Sequence, residues 1–182
     1  MLTQAQLLDR AEIEDAVKRY CRAVDRCDWP LLARFYHADA AIRHGPYEGG
    51  PEGFVEFVKA RRVGMRHTAH YVGNILVEFG GPDTAVAETY GFATQTFVPP
   101  SPLVPEGAVA TRIRAAYRYV DRFERRDGRW AVAAALLVTG ERDLRHFTDA
   151  PPDDSAVVGQ QPSTADPLYA MLAQLTSNGN CS

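Results

Sequence analysis

The sequence predicts an α+β fold, a curved antiparallel sheet wrapped over N-terminal helices. Up to about residue 145, apolar residues recur at helical spacing only before Gly64. From His67 onward the pattern changes to four long stretches at period two, separated by turn signals, and no internal repeat is present. Helices first and long strands afterwards argue against a parallel α/β sheet.

The first helix is expected over about 4–26, with Thr3 and Gln6 as a capping box and Leu7, Ile13, Val17, Tyr20 and Val24 as its buried stripe. At about 100° per residue, Val24 falls about 20° and Asp25 about 120° from Ile13, so Asp25 lies on the border of the buried face. Asp28-Trp29-Pro30 caps a short second helix carrying Leu31, Leu32, Phe35 and Tyr36. A brief strand follows at 39–43, and a third helix opens near Gly49 and carries Phe54, Phe57 and Val58.

The strands are expected at about 67–79, 84–98, 108–125 and 129–139, with turns at 80–83 and 126–128 and a proline-rich loop at 99–107 that reads as the rim or lid of a pocket. The third of these alternates sharply. Ile113, Ala115, Tyr117, Tyr119, Asp121 and Phe123 form its core or cavity face. Arg112, Arg114, Ala116, Arg118, Val120 and Arg122 form the other, a face expected to make polar, hydrated contact with water or a partner subunit. The domain is expected to span 1–145. The extension 146–182 reads as partly irregular, disorder-like in composition from 151, with a short helix at 167–175 that could cover a pocket mouth or dock on a neighbour.

With 20 basic against 23 acidic residues, the chain offers no basic field for a nucleic-acid backbone. Cys21, Cys27 and Cys181 form no Cys-x-x-Cys pair, which suits a reducing, cytoplasmic setting, and neither a signal peptide nor a membrane span is read. The sequence holds no metal-ligand spacing, phosphate-binding glycine loop, dinucleotide motif or Gly-x-Ser-x-Gly elbow. Cofactor-independent chemistry is therefore expected, with no metal.

Three residues stand out as candidate chemistry: Tyr20 and Asp25 on the first helix, and His70 in an otherwise apolar strand. A histidine is poised between acid and base near neutral pH, and a neighbouring carboxylate fixes its tautomer and steadies its charged form. Asp25 could instead cap a turn or pair with Arg22 or Arg26, and Tyr20 could be a core tyrosine. His67 has the opposite parity to His70 and is expected on the other face of the strand, and His37 and His44 are read as surface residues near chain turns. Glu88, Tyr90 and Phe92 share a face, which makes Glu88 either a second cavity acid or an outward, solvated one. Asp121 could line the cavity or pair with an arginine of the neighbouring strand.

The segments Tyr20-x4-Asp25-Arg-Cys-Asp-Trp29, Phe35-Tyr-His-Ala-Asp39-Ala, His67-Thr-Ala-His70-Tyr-Val-Gly-Asn74 and Tyr119-Val-Asp-Arg-Phe-Glu-Arg-Arg-Asp-Gly-Arg-Trp130 resemble the SnoaL-like branch of the nuclear transport factor 2-like superfamily over roughly 5–140. The resemblance implies a cone-shaped, cystatin-like fold around a cavity with a histidine-carboxylate dyad, here His70 and Asp25. It places Tyr20 where bile acid 7α-dehydratases carry a tyrosine, and it brings Ile42, Thr68 and Tyr119 to pocket-lining positions. Scytalone dehydratases and hexachlorocyclohexane dehydrochlorinases share the pattern. The arginine that the dehydrochlorinases carry after the last-strand tryptophan is Ala135 here, which ranks dehydrohalogenation below dehydration.

The expected function is a cofactor-free lyase, a dehydratase of an apolar cyclic small molecule of polyketide, steroid or aromatic type, working as a homo-oligomer (dimer or trimer). His70 would abstract the proton, Asp25 orient it and Tyr20 assist the leaving oxygen, in a pocket lined by Ile42, Thr68, Glu88, Tyr90, Tyr117, Tyr119 and Asp121. Isomerases or cyclases with the same dyad, and a non-catalytic binding or oxygenase small-subunit-like protein, are the alternatives. A pocket filled by the rings of Tyr20, Tyr90 and Tyr119 would favour the last.

Overall fold

A computed structural model describes residues 2–149 and 159–178, leaving Cys181 and the disorder-like stretch at 151–158 outside the described residues. The order is α1 (Gln4–Arg26), α2 (Trp29–Arg34), β1 (Tyr36–His44), β2 (Tyr47–Gly49), α3 (Pro51–Ala60), β3 (Met65–Phe79), β4 (Thr84–Phe97), β5 (Ala110–Arg126), β6 (Arg129–Phe147) and α4 (Pro167–Asn178). Among the described residues, the strands form one six-stranded sheet in the order β2-β1-β6-β5-β4-β3. The β1–β6 pair is parallel, a departure from the all-antiparallel expectation. The sheet is curved and unclosed, and no helix is long and apolar enough to cross a membrane.

α1 starts on the capping box, with Thr3 and Gln6 each accepting the other's backbone N–H. It ends at Cys27, whose left-handed φ of 53° stops the helix two residues past Asp25. Asp28 then accepts from the Leu31 N–H and opens α2. The buried stripe of α1 includes Ile13, Val17, Tyr20, Cys21, Val24 and Asp25, and it meets a core of Leu32, Phe35, Tyr36, Ile42, Phe54 and Phe123.

Two bulges set the inner face of the sheet. In β3, Val72 pairs with Gly91 and Ile75 with Thr89, so one extra residue stands near Gly73. That insertion lets Thr68, His70 and Val72 face inward together with Ile75, Val77 and Phe79, which an unbroken period of two forbids. In β6, Thr139 pairs with Tyr117 and Arg142 with Ala115, again one residue too many.

The final strand runs eight residues past its expected end, because the N-terminal part of β5 needs a hydrogen-bonding partner and 141–147 supplies it. The outer face is less polar than the arginines of β5 suggest. Across from them stand the exposed side chains of Tyr71, Leu76, Val86, Tyr90, Phe92 and Leu136. The proline-rich loop packs on the Gly64 turn, where the Val98 N–H donates to the Gly64 carbonyl, and no residue of 99–107 lines the cavity described below. The C-terminal extension crosses the far end of α1: Arg26 pairs with Asp166 at 3.0 Å, the Tyr169 hydroxyl donates to Asp28 at 2.9 Å, and Gln160 donates to the Thr68 carbonyl.

Candidate active site

Asp25 projects from the last turn of α1 onto β3, where three donors converge on its carboxylate. The Thr68 hydroxyl reaches Oδ1 at 3.1 Å, the His70 backbone N–H reaches Oδ2 at 2.9 Å, and His70 Nδ1 lies 2.7 Å from Oδ1. A carboxylate already accepting from a hydroxyl and an amide acts as an acceptor toward the ring as well, which places the imidazole proton on Nδ1. Nε2 is left with its lone pair. The side chains of both residues are only 10% exposed.

His70 lines a hollow of about 310 Å³ between α1, α3 and the inner face of the sheet. Tyr20, His44, Phe54, Tyr117 and Tyr119 line it too. β4 makes the room: its inward residues are small, from Ala85, Ala87, Thr89 and Gly91 to Ala93, so the interior is free for α1 and for rings from β5.

The phenols form one cluster. Ring centroids of Tyr20 and Tyr119 are 5.5 Å apart, those of Tyr117 and Tyr119 4.6 Å, and those of His70 and Tyr117 6.1 Å. Burial raises the Tyr20 pKa, Cys21 and Asp121 add to the shift, and hydrogen bonding to Tyr36 and Tyr119 only partly opposes it. Burial likewise raises Tyr117 and Tyr119. All three stay protonated as donors. The Tyr117 hydroxyl lies beside that of Tyr119 but is buried without a partner in hydrogen-bond geometry.

Several expected pocket residues lie elsewhere. Thr68 stands behind the dyad as a ligand of Asp25, and Ile42 is sealed in the core at 1% exposure. Glu88 and Tyr90 face outward, Glu88 paired with Arg118 at 2.6 Å and Tyr90 half exposed beneath the Arg118 guanidinium. Their face carries the larger side chains, whereas between Ala85 and Ala93 the concave side of β4 has space only for small ones. Asp121 is buried below the tyrosines, outside the cavity lining and without an arginine partner among the described residues, and desolvation pushes it up to about 8.

Two histidines are corrected. His44, read as surface, lines the hollow with its ring 5.2 Å from that of Phe54, and burial, then His70 and Arg61, bring its pKa down to about 4. It is a neutral second imidazole in the cavity wall. Its position at a strand end before Gly45-Pro46 hid it, since a turn usually means solvent. His37 is buried, donating from Nε2 to the Glu124 carbonyl at 2.9 Å. His67 does face the opposite side of β3 from His70, among Arg66, Thr94 and Arg112. Among the described residues, no group of three or more His, Cys, Asp or Glu converges as a metal site would require.

The profile of the SnoaL-like domain matches residues 5–135, which span the helices, the dyad and most of the sheet. The chain belongs to the SnoaL-like family. This SnoaL-like chain is similar in structure to LinA, at 26% identity and a TM-score of 0.68 over 81% of this chain and 97% of that one. It is similar to a LinA-type3 hexachlorocyclohexane dehydrochlorinase from Novosphingobium barchaimii LL02, at 23% identity and a TM-score of 0.65 over 81% and 98%. It also shares its fold with a scytalone dehydratase-like protein from Novosphingobium aromaticivorans, at 19% identity and a TM-score of 0.68 over 84% and 98%. No curated protein matches the chain.

Proposed function

We propose that this SnoaL-like protein is a cofactor-independent lyase, a dehydratase that removes water from a small cyclic molecule held in the 310 Å³ hollow. The observation that carries this reading is the Asp25–His70 pair, 2.7 Å apart, with the free imidazole nitrogen on the cavity side. The similarity to a dehydrochlorinase and to a scytalone dehydratase-like protein supports an elimination, and Ala135, on the strand opposite Asp121, supports oxygen rather than chloride as the leaving atom.

His70 Nε2 takes a proton from a carbon next to an electron-withdrawing group, and Asp25 stabilises the imidazolium that forms. The C–H electrons become the new double bond and the C–O bond breaks. Tyr117, whose ring lies 6.1 Å from the imidazole in the same cavity wall, donates a hydrogen bond to the leaving oxygen, and Tyr20 backs it from the next layer through Tyr119. The raised phenol pKa makes Tyr117 a donor rather than a proton source, so the proton that departs with the oxygen returns from the imidazolium. Water leaves and the dyad is restored.

Tyr90 lies on the outer face and the hollow beside His70 is open, which disfavours a non-catalytic scaffold. The test is formation of the conjugated product from a panel of cyclic β-hydroxy ketones. Wild type should form it, with His70→Ala and Asp25→Asn slower by about 10²- to 10⁴-fold at unchanged folding. A His70→Ala variant with full activity removes the dyad from the mechanism.

A further inference from the structure

Charge is distributed unevenly between the two faces of the sheet. On the outer face and at the sheet ends, several arginines meet acids: Arg118 with Glu88, Arg125 with Asp9 and Asp83, Arg126 with Asp39 and Glu124, while Arg112 and Arg114 line a shallow outer groove without an ion pair among the described residues. The hollow is different. Its lining includes Arg61, Arg62 and Arg142 and not one Asp or Glu, since Asp25 stands behind His70. Arg62 is occupied structurally, donating to the Val24 carbonyl and the Met65 sulfur and lying over Trp29. Arg61 and Arg142 form no ion pair with the described residues.

The local backbone brings this arrangement about. The bulge in β6 moves the inward position from Glu141 to Arg142: Thr139 faces Tyr117, and the next inward partner, opposite Ala115, is Arg142. A regular strand would turn Glu141 and Asp143 into the cavity mouth. Gly140 permits the insertion, because a β-carbon there would stand 3.1 Å from the Ala116 carbonyl oxygen. Across the mouth, Arg61 closes α3 and lies 5.6 Å over the Phe57 ring, which holds its guanidinium on the cavity rim. The two guanidinium groups repel: Arg61 is pulled below the ordinary arginine value by burial and then by Arg142. Two like charges kept at one opening with no acid in the lining suit an anionic group, and Gln95 adds an amide to the same wall.

We propose that the substrate is an organic anion, whose apolar ring enters the hollow beside Tyr117 and His70 and whose oxyanion group is clamped at the mouth between Arg61 and Arg142. The inference rests on the reading of the hollow as the substrate site. It does not depend on which bond breaks there. A carboxylate and a phosphate monoester both fit the clamp.

Direct binding separates the possibilities without turnover. Wild-type protein is titrated calorimetrically with 2-naphthoate, 2-naphthyl phosphate and the neutral isostere 2-naphthamide. At least one anion should bind about tenfold or more tighter than the amide, as charge-assisted hydrogen bonds from two guanidinium groups require. The tighter of the two anions names the headgroup. The preference should vanish in Arg61→Gln/Arg142→Gln, persist in Arg114→Gln on the outer face, and persist in His70→Ala. Equal affinity for anions and amide, no binding of any of the three, or a preference that survives in the double variant overturns the proposal. Loss of the elimination reading would show instead as unchanged product formation by His70→Ala, so the two failures are distinguishable.

Discussion

The ring of Tyr117 fills the space that a β-carbon on Gly91 would need. Built on the Gly91 backbone, that carbon would lie 2.3 Å from ring carbons of Tyr117 and 2.5 Å from its hydroxyl oxygen. The two residues are cross-strand partners, so the missing side chain on β4 lets the phenol lie along the sheet toward His70. Gly91→Ala should displace the hydroxyl and lower kcat by about 10- to 100-fold, close to the effect of Tyr117→Phe, because misplacing a catalytic group by about 1 Å costs rate on this scale. Steady-state kinetics of both variants check this, and a Gly91→Ala enzyme at wild-type kcat would dissociate the phenol from the chemistry.

Thr68 acts one step behind the imidazole. Its hydroxyl is one of three donors that fix the Asp25 carboxylate, and it sits at 1% exposure. Thr68→Val keeps the shape but removes the donor, so kcat should fall about 10-fold, with Thr68→Ser restoring most of it. Equal kcat in the Val and Ser variants would mean that the hydroxyl only fills space.

These relationships show what the sequence made legible. Capping at Thr3, the stripe of α1 and the alternation of β5 are local patterns, and they sufficed to find α1 and the face of Tyr117 and Tyr119, whereas the pairing of Asp25 with His70, 45 residues apart, came only with the family resemblance. The inward face of β4 was misread because size is a poor guide where a helix and neighbouring rings already fill the interior, so the small residues turn inward and Glu88 and Tyr90 turn out. The charged segment 141–147 carries no apolar alternation, since most of its side chains are exposed, and its strand is set by the unpaired edge of β5. The bulges near Gly73 and Gly140 change parity in mid-strand, a shift that a fixed period of two cannot report.

Asp121 should leave a mark on stability. Its ordinary value is 3.8 and burial raises it to about 8 in the fold, so between these the folded chain holds a proton that the unfolded chain has lost. Stability therefore falls as pH rises through this window, by at most about 1.4 kcal/mol per pH unit from this group. Asp121→Asn removes that slope, so the variant should gain on wild type steadily from pH 4.5 to pH 7.5 in urea titrations, values spaced about one proton-linkage window. Parallel pH profiles for the two proteins would show that Asp121 is not held neutral.

The C-terminal extension braces the back of the dyad, through Gln160 on the Thr68 carbonyl and Asp166 on Arg26. Deleting residues from 159 onward should lower stability by about 1–3 kcal/mol and reduce kcat more than it raises KM, since the loss falls on the orientation of Asp25 rather than on the cavity wall. Denaturant melts and kinetics of the truncated chain test this. A change confined to KM would place the extension at the substrate instead.

The central claim is that Asp25 holds the His70 proton on Nδ1 and so presents Nε2 as the base. Long-range ¹⁵N–¹H NMR of the imidazole side chains near neutral pH reads this directly, with His70→Ala used to assign the signals. The account predicts that the neutral form of the His70 ring, wherever it is populated, carries its proton on Nδ1 in wild type, and that this tautomer loses its dominance in Asp25→Ala. A His70 ring protonated at Nε2, or one whose tautomer is indifferent to Asp25, would contradict it.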